Sequence, residues 1–88
     1  MNRNLMERQE ILKIVVKHLS ANIDGIDTAH IDPSKSMADY DASSLDIVEV
    51  VSATMRELKI SIPRTEFAGI QNINQLTDLF YRVGNSSA

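Results

Sequence analysis

Apolar residues recur at helical spacing in three separate stretches of this chain, and this pattern most constrains its fold. Helices are predicted for residues 5–19, 44–59 and 73–83, because the apolar residues of each follow steps of three and four. The stripes are Leu12, Val15, Val16 and Leu19; Val48, Val51, Met55 and Leu58; and Ile73, Leu76, Leu79, Phe80 and Val83. Three such faces can close one core, so the pattern predicts an all-α bundle.

Polar residues mark the predicted ends of these helices. Ser43 with Asp46, and Asn72 with Gln75, have the spacing of a capping box, in which two side chains satisfy amides at a helix start. Gly84 follows the last apolar residue and is predicted to cap the third of these helices. Residues 85–88 are then expected to form a mobile tail.

The connections between the helices differ in length. Residues 20–43 are rich in turn-forming residues, which predicts a long first loop with room for a short helical turn. Its expected anchors on the core are Ile23, Ile26, Ile31, Met37 and Tyr40. After an extended connector at 60–63, residues 64–69 are predicted to form one or two helical turns that end at Gly69. The bundle therefore has three main helices, with a short third helix before the last of them.

The length of 88 residues predicts one domain, 1–88, with an ordered core at about residues 5–84. A chain of this size buries about two-thirds of its surface and has no room for a deep cleft. The absence of cysteine excludes disulfides, thiol nucleophiles and cysteine-based zinc sites. His18 and His30 lack partners at the spacing of a triad or metal site, and the glycines form no phosphate loop. These residues therefore predict no catalytic centre.

The chain has neither of the sequence signals for membrane insertion. No apolar run approaches the roughly 18 residues of a membrane span, and the N-terminus does not resemble a signal peptide. We expect a cytoplasmic monomer with no membrane partner. The initiating Met and the short tail favour a free-standing protein.

The acidic residues concentrate in one segment, although the net charge is only −3. Residues 39–57 contain Arg56 as their single base, and the rest of the chain is nearly neutral. The acids of this segment are Asp39, Asp41, Asp46, Glu49 and Glu57. Nucleic acid binding needs a basic face, so this distribution disfavours nucleic acid and favours protein partners with basic surfaces.

Ser44 begins the second predicted helix and follows the long loop, so its hydroxyl is expected to be exposed. The positive end of a helix suits a bound phosphate. On this local evidence alone, a serine at such a position is more often a cap than an attachment site.

Two motifs lie around Ser44. The turn Ile31-Asp32-Pro33 is followed by the run Asp41-Ala42-Ser43-Ser44-Leu45-Asp46-Ile47-Val48-Glu49-Val50-Val51. These residues resemble the acyl carrier proteins, which carry phosphopantetheine. In that family an Ile-Asp-Pro-like turn leads through an apolar anchor to a Gly-x-Asp-Ser-Leu-Asp-x-Val-Glu-Leu-Val run. The connector at 60–63 and the last helix also match the family's order of elements, so the resemblance covers nearly the whole chain.

The resemblance implies a four-helix acyl carrier bundle in which Ser44 bears a covalent 4'-phosphopantetheine arm. A phosphopantetheinyl transferase would attach the arm from coenzyme A. The arm's thiol would hold acyl groups as thioesters for fatty-acid, polyketide or secondary-lipid synthesis. Other implied partners are acyl-transferring and condensing enzymes with basic docking surfaces. The residues implied to face the partners are Asp41, Ser43, Leu45, Asp46, Val48 and Glu49.

Several positions depart from the family pattern. Ser43 replaces an Asp and Asp41 replaces a Gly, while Met55 and Arg56 stand where many bacterial fatty-acid carriers have glutamates. Ser43 can still cap the helix but supplies no negative charge, which bears on the choice of transferase. The shortened acidic face favours a specialised partner set, such as polyketide or secondary-lipid assembly.

Two other functions stay open. A peptidyl or aminoacyl carrier would share the fold, although such carriers usually lack the Asp of the Ser-Leu-Asp run. An unmodified carrier fold that acts only as an interaction module is supported by Ser43. An independent enzyme is disfavoured, because nothing in the sequence activates a nucleophile.

Overall fold

All regular structure in the described residues, 7–23 and 25–86 of this computed structural model, is helical. The α-helices are α1 (Arg8–Asn22), α2 (Ser44–Leu58) and α3 (Ile73–Ser86). Two short 3-10 turns lie between them, the first at Met37–Tyr40 and the second at Arg64–Phe67. The predicted all-α bundle is confirmed, and its short third helix is the second 3-10 turn.

Helix α1 is central to the bundle, because it packs against both α2 and α3. Ile11, Val15 and Leu19 have no exposed surface, whereas Leu12 and Val16 are only partly buried. The predicted stripe is therefore on the correct side of α1, but the buried line runs along steps of four. The helix ends three residues later than predicted, since no glycine or proline interrupts it. Residues 5–6, where it was predicted to start, lie outside the described residues.

Helix α2 is rotated relative to its predicted stripe. Val48 was predicted to face the core, which is wrong, because its exposed fraction is 46%. Val51 is buried as predicted, and Val50 and Thr54 are the other buried residues of α2. The Thr54 hydroxyl donates to the Val50 carbonyl at 2.8 Å. This face of α2 therefore buries a polar side chain whose hydrogen bond is satisfied within the helix.

The start of α3 holds the long loop in place. The Gln75 amide donates to Asn72 Oδ1 at 2.8 Å and Gln75 Oε1 accepts from the Asn72 amide at 3.2 Å, which confirms the predicted capping box. Beside it, the Met37 amide donates to the Gln71 carbonyl at 2.8 Å. The bond from Met37 fixes the end of the loop that leads into α2 to the residue before this box.

The loop anchors are confirmed with one difference. Ile23 and Met37 are buried, and Ile26 and Ile31 pack against the core. Tyr40 instead braces the loop itself, because its hydroxyl accepts a hydrogen bond from the Asp32 amide at 2.7 Å. The described part of the long loop is therefore held by contacts with the core and by a hydrogen bond within the loop.

The end of α3 differs from the prediction. Gly84 was predicted to terminate the helix, which is wrong, because the helix continues through Ser86. The Asn85 side chain donates to the Tyr81 carbonyl at 2.9 Å, which satisfies one carbonyl near the end of the helix. Residues 85 and 86 of the predicted mobile tail are thus helical, and residues 87–88 lie outside the described residues.

An ion cluster around Glu57 joins the C-terminal ends of α1 and α2. Lys17 Nζ lies 2.8 Å from Glu57 Oε1, and His18 Nε2 lies 2.7 Å from the same oxygen. The hydrogen bond from Lys17, followed by that from His18, holds the pKa of Glu57 below its ordinary value.

This cluster predicts how stability depends on pH. Since the pKa of Glu57 is lowered in the folded chain, its stabilisation is complete above the ordinary glutamate pKa of about 4.3 and is lost as the pH falls through the lower folded value. In Glu57→Gln the free energy of unfolding should therefore fall less steeply as the pH is lowered below about 5. Urea titrations at several pH values measure this. Glu49→Gln is the control, because it removes a carboxylate that forms no ion pair with a described residue. If the free energy of unfolding changed equally with pH in all three proteins, the prediction would be contradicted.

Candidate functional site

Ser44 is the first residue of α2 and is exposed. Its hydroxyl makes no hydrogen bond to any other residue in the described part of the chain. The hydroxyl of a serine at a helix start usually accepts a hydrogen bond from a first-turn amide and so caps the helix. Here the preceding residue performs that task, so the Ser44 hydroxyl is free to react.

Ser43 and Asp46 form the predicted capping box, which is confirmed. Ser43 Oγ accepts the Asp46 amide at 3.1 Å, and Asp46 Oδ2 accepts the Ser43 amide at 2.9 Å. The Ser43 hydroxyl also donates to Asp46 Oδ2, at 3.0 Å. Both side chains are therefore engaged in the helix start and are not free in the way that Ser44 is.

The first turn of α2 suits a phosphodiester on Ser44. Its amides point toward the helix start, where the helix dipole favours negative charge. The first-turn acid, Asp46, accepts hydrogen bonds from the amide and the hydroxyl of Ser43 and makes none with Ser44. An exposed, unbonded hydroxyl at this end fits the covalent arm that the resemblance implies.

Asp41 precedes the site in a left-handed conformation, with φ of +64°. Its amide donates to the Ala38 carbonyl at 3.0 Å and ends the first 3-10 turn. Only glycine adopts this conformation without cost, although aspartate tolerates it better than most residues. This backbone accounts for the glycine that the resembled family motif has at this position, and aspartate adopts the same conformation in this chain.

Substitution of Asp41 should reveal this backbone requirement. Asp41→Ala is expected to lower the free energy of unfolding by about 1 kcal/mol. Alanine has a Cβ that disfavours the left-handed conformation and lacks a polar side chain that could offset this cost by a local hydrogen bond. Asp41→Gly should be less destabilising than Asp41→Ala, or even stabilising. Urea unfolding measures both, and equal losses in the two variants would argue against a backbone cause.

An exposed face surrounds Ser44 at the start of α2. Leu45 is 70% exposed and Val48 is 46% exposed, so two large apolar side chains three residues apart face solvent near Ser44. The exposed acids Asp41 and Glu49 flank them. The structure thus gathers the predicted partner-facing residues at one end of α2, with Asp46 half-buried in the cap and Ser43 exposed beside it.

A shallow groove of about 150 Å³ starts one helical turn from Ser44, between α2 and the second 3-10 turn. Its lining is mostly apolar, and the polar side chains among it are Ser52 and Arg64. The Phe67 ring lines the groove and packs on Phe80, with ring centroids 6.1 Å apart. The sequence did not assign Arg64 and Phe67 to the site, because their place depends on how the second 3-10 turn folds back onto α2.

The other features of the described residues lie away from Ser44. A depression of about 540 Å³ lies on α1 and the long loop and is lined by no residue of α2. His18 and His30 each pair with one carboxylate, and the described part of the chain holds no group of three metal-ligating side chains. None of its helices has both the length and the apolar character to cross a membrane.

Comparisons with known proteins found a matching family model and a similar curated protein. The family model described as "Phosphopantetheine attachment site" matches residues 10–80. The polyketide biosynthesis acyl-carrier-protein AcpK of Bacillus subtilis (strain 168) is 25% identical over 76 residues, which cover 86% of this chain and 93% of that protein. No solved structure matches the chain.

Proposed function

The chain belongs to the phosphopantetheine-attachment family of carrier proteins, and on that premise we propose that Ser44 is the residue that bears the arm. Members of this family carry acyl groups and do not transform them, so this protein is an acyl carrier rather than an enzyme. Phosphopantetheine is accordingly its cofactor.

The free hydroxyl of Ser44 is the observation that carries this assignment. The neighbouring Ser43 is the only other serine at the start of α2, and its hydroxyl both accepts from and donates to Asp46. Modification of Ser43 would break the helix cap, whereas modification of Ser44 leaves the cap intact. The geometry therefore supports Ser44 as the attachment residue.

The protein's own residues have three tasks in this function. Bound phosphopantetheine supplies a thiol on a long flexible arm, to which acyl groups attach as thioesters. Ser44 anchors that arm, and the groove beside Val51 and Phe67 gives apolar cargo a partly sheltered surface. Leu45, Val48 and Glu49 offer an exposed apolar and acidic surface on which partner enzymes dock.

We place this carrier in polyketide-type synthesis rather than in fatty-acid synthesis. The similarity to a polyketide biosynthesis carrier supports this, as does Arg56, which interrupts the acidic face of α2. The partners are then a phosphopantetheinyl transferase and the acyl-transferring and condensing enzymes of that synthesis. The monomeric state and the cytoplasmic location remain predictions.

Loading of the unmodified protein tests the assignment. Incubation with coenzyme A and a broad-specificity phosphopantetheinyl transferase should add the mass of one phosphopantetheinyl group, measured by intact-protein mass spectrometry. Tandem mass spectrometry should locate it on Ser44. A folded protein that gains no mass under conditions where a reference carrier is fully loaded would contradict the proposal and favour an unmodified interaction module.

A further inference from the structure

We propose that the outer face of α2 is a docking surface of two signs, acidic beside Ser44 and basic at its far end. It fits a partner protein that presents basic side chains near the serine and acidic side chains about two helical turns away. The inference rests on the proposed carrier function and adds to it the charge pattern of the partner. It extends the prediction that partners have basic docking surfaces, because it adds an acidic region to the partner's surface.

The register of α2 places both signs on one face. Leu45, Glu49, Ser52 and Arg56 are separated by four, three and four residues, which is the spacing of a single helical stripe. Glu49 and Arg56 are seven residues apart, so they lie about 10 Å apart along the helix axis. A partner that covers Leu45 and Glu49 therefore also meets Arg56.

The basic end contains cations from two elements. Arg56 in the last turn of α2, Lys59 at its C-cap and Arg64 in the second 3-10 turn are all exposed. None of them forms an ion pair with a described residue. Arg64 lines the same groove as Val48 and Ser52, which brings the basic end next to the docking face.

The acids nearest this end in the chain, Glu57 and Glu66, both pair with other residues. Arg82 Nη2 lies 3.8 Å from Glu66 Oε1. Glu57 follows Arg56 directly in the chain, but Lys17 and His18 of α1 hold both of its carboxylate oxygens at 2.7–2.9 Å. The positive charge of Arg56 is therefore left uncompensated on the outer face.

Such a charge pattern selects partners by repulsion as well as by attraction. A docking surface that is basic throughout would place like charges against Arg56, Lys59 and Arg64, and a complementary one would place acids there. Because these pairs would be exposed, each is expected to change binding by only a few-fold.

The first arm of the test uses a transferase whose docking surface is basic. Arg56→Glu should lower the transferase's KM for the carrier about two- to five-fold and leave kcat unchanged. The KM for Arg56→Gln should lie between those for the wild type and Arg56→Glu. Lys13→Glu on α1 makes the same change in net charge away from α2 and should leave the KM near the wild-type value. A KM that is unchanged or raised in Arg56→Glu, or lowered equally in Lys13→Glu, would overturn the proposal.

The second arm reverses the partner's charges. Basic residues on the transferase rim are replaced one at a time by glutamate, and each variant is assayed with the wild-type carrier and with Arg56→Glu. At least one replacement should lower the KM for the wild-type carrier and raise the KM for Arg56→Glu. With that transferase variant the preference between the two carriers is then the reverse of that shown by the unaltered transferase. If no replacement does so, position 56 does not face the partner and the proposal fails. Failure of the carrier function itself would differ, because no variant would then gain mass.

Discussion

Ser44→Ala is expected to gain no phosphopantetheinyl mass under conditions that load the wild type completely. The substitution removes the one hydroxyl at the start of α2 that makes no hydrogen bond to the described residues. Since Ser44 is exposed and lies after the N-cap, the helix should remain intact. Intact-protein mass spectrometry measures the loss, and far-UV circular dichroism checks that the fold is retained.

Ser43→Ala is the matched control at the adjacent serine. It removes the cap and should lower the free energy of unfolding by about 1 kcal/mol, yet it should still be loaded. Ser43→Asp keeps an N-cap side chain and restores the residue that the related carriers have there. It should therefore be loaded at least as fast as the wild type. Loss of the adduct only in Ser43→Ala would mean that the arm is on the other serine.

The start of α2 could be predicted from sequence because its determinants are local. A capping box is specified by two residues three positions apart, and both Ser43 with Asp46 and Asn72 with Gln75 adopt it. The family motif then identifies the serine. The left-handed backbone at Asp41 was not predicted, although the glycine of the family motif at this position is typical of that conformation.

The faces of the helices depend on tertiary packing and were harder to predict. Val48 and Val50 are both apolar, and only the way α2 packs on α1 decides that Val50 is buried while Val48 is 46% exposed. The place of Arg64 is similar, because it depends on a 3-10 turn that folds back beside α2. The docking face is therefore the part of the site that sequence periodicity defines least well.

Phe80→Ala is expected to cause the largest loss of stability, about 3–5 kcal/mol. Phe80 has no exposed surface and supports the Phe67 ring of the second 3-10 turn. For a domain whose total stability is on the order of 5–15 kcal/mol, such a loss leaves little margin. Urea unfolding followed by circular dichroism measures it, and a loss below about 1 kcal/mol would contradict the assigned core.

Tyr81→Ala provides the matched control, because the neighbouring aromatic residue of α3 is 43% exposed. It should lower the free energy of unfolding by well under half as much as Phe80→Ala, because Tyr81 buries less apolar surface when the chain folds.

Loading of the Phe80→Ala variant can then separate folding from attachment of the arm. Phe80→Ala that remains folded should still gain the arm, because the α2 cap lies on a different element from the lost ring. Its groove should nevertheless loosen, since Phe67 and Arg64 belong to the turn that Phe80 supports.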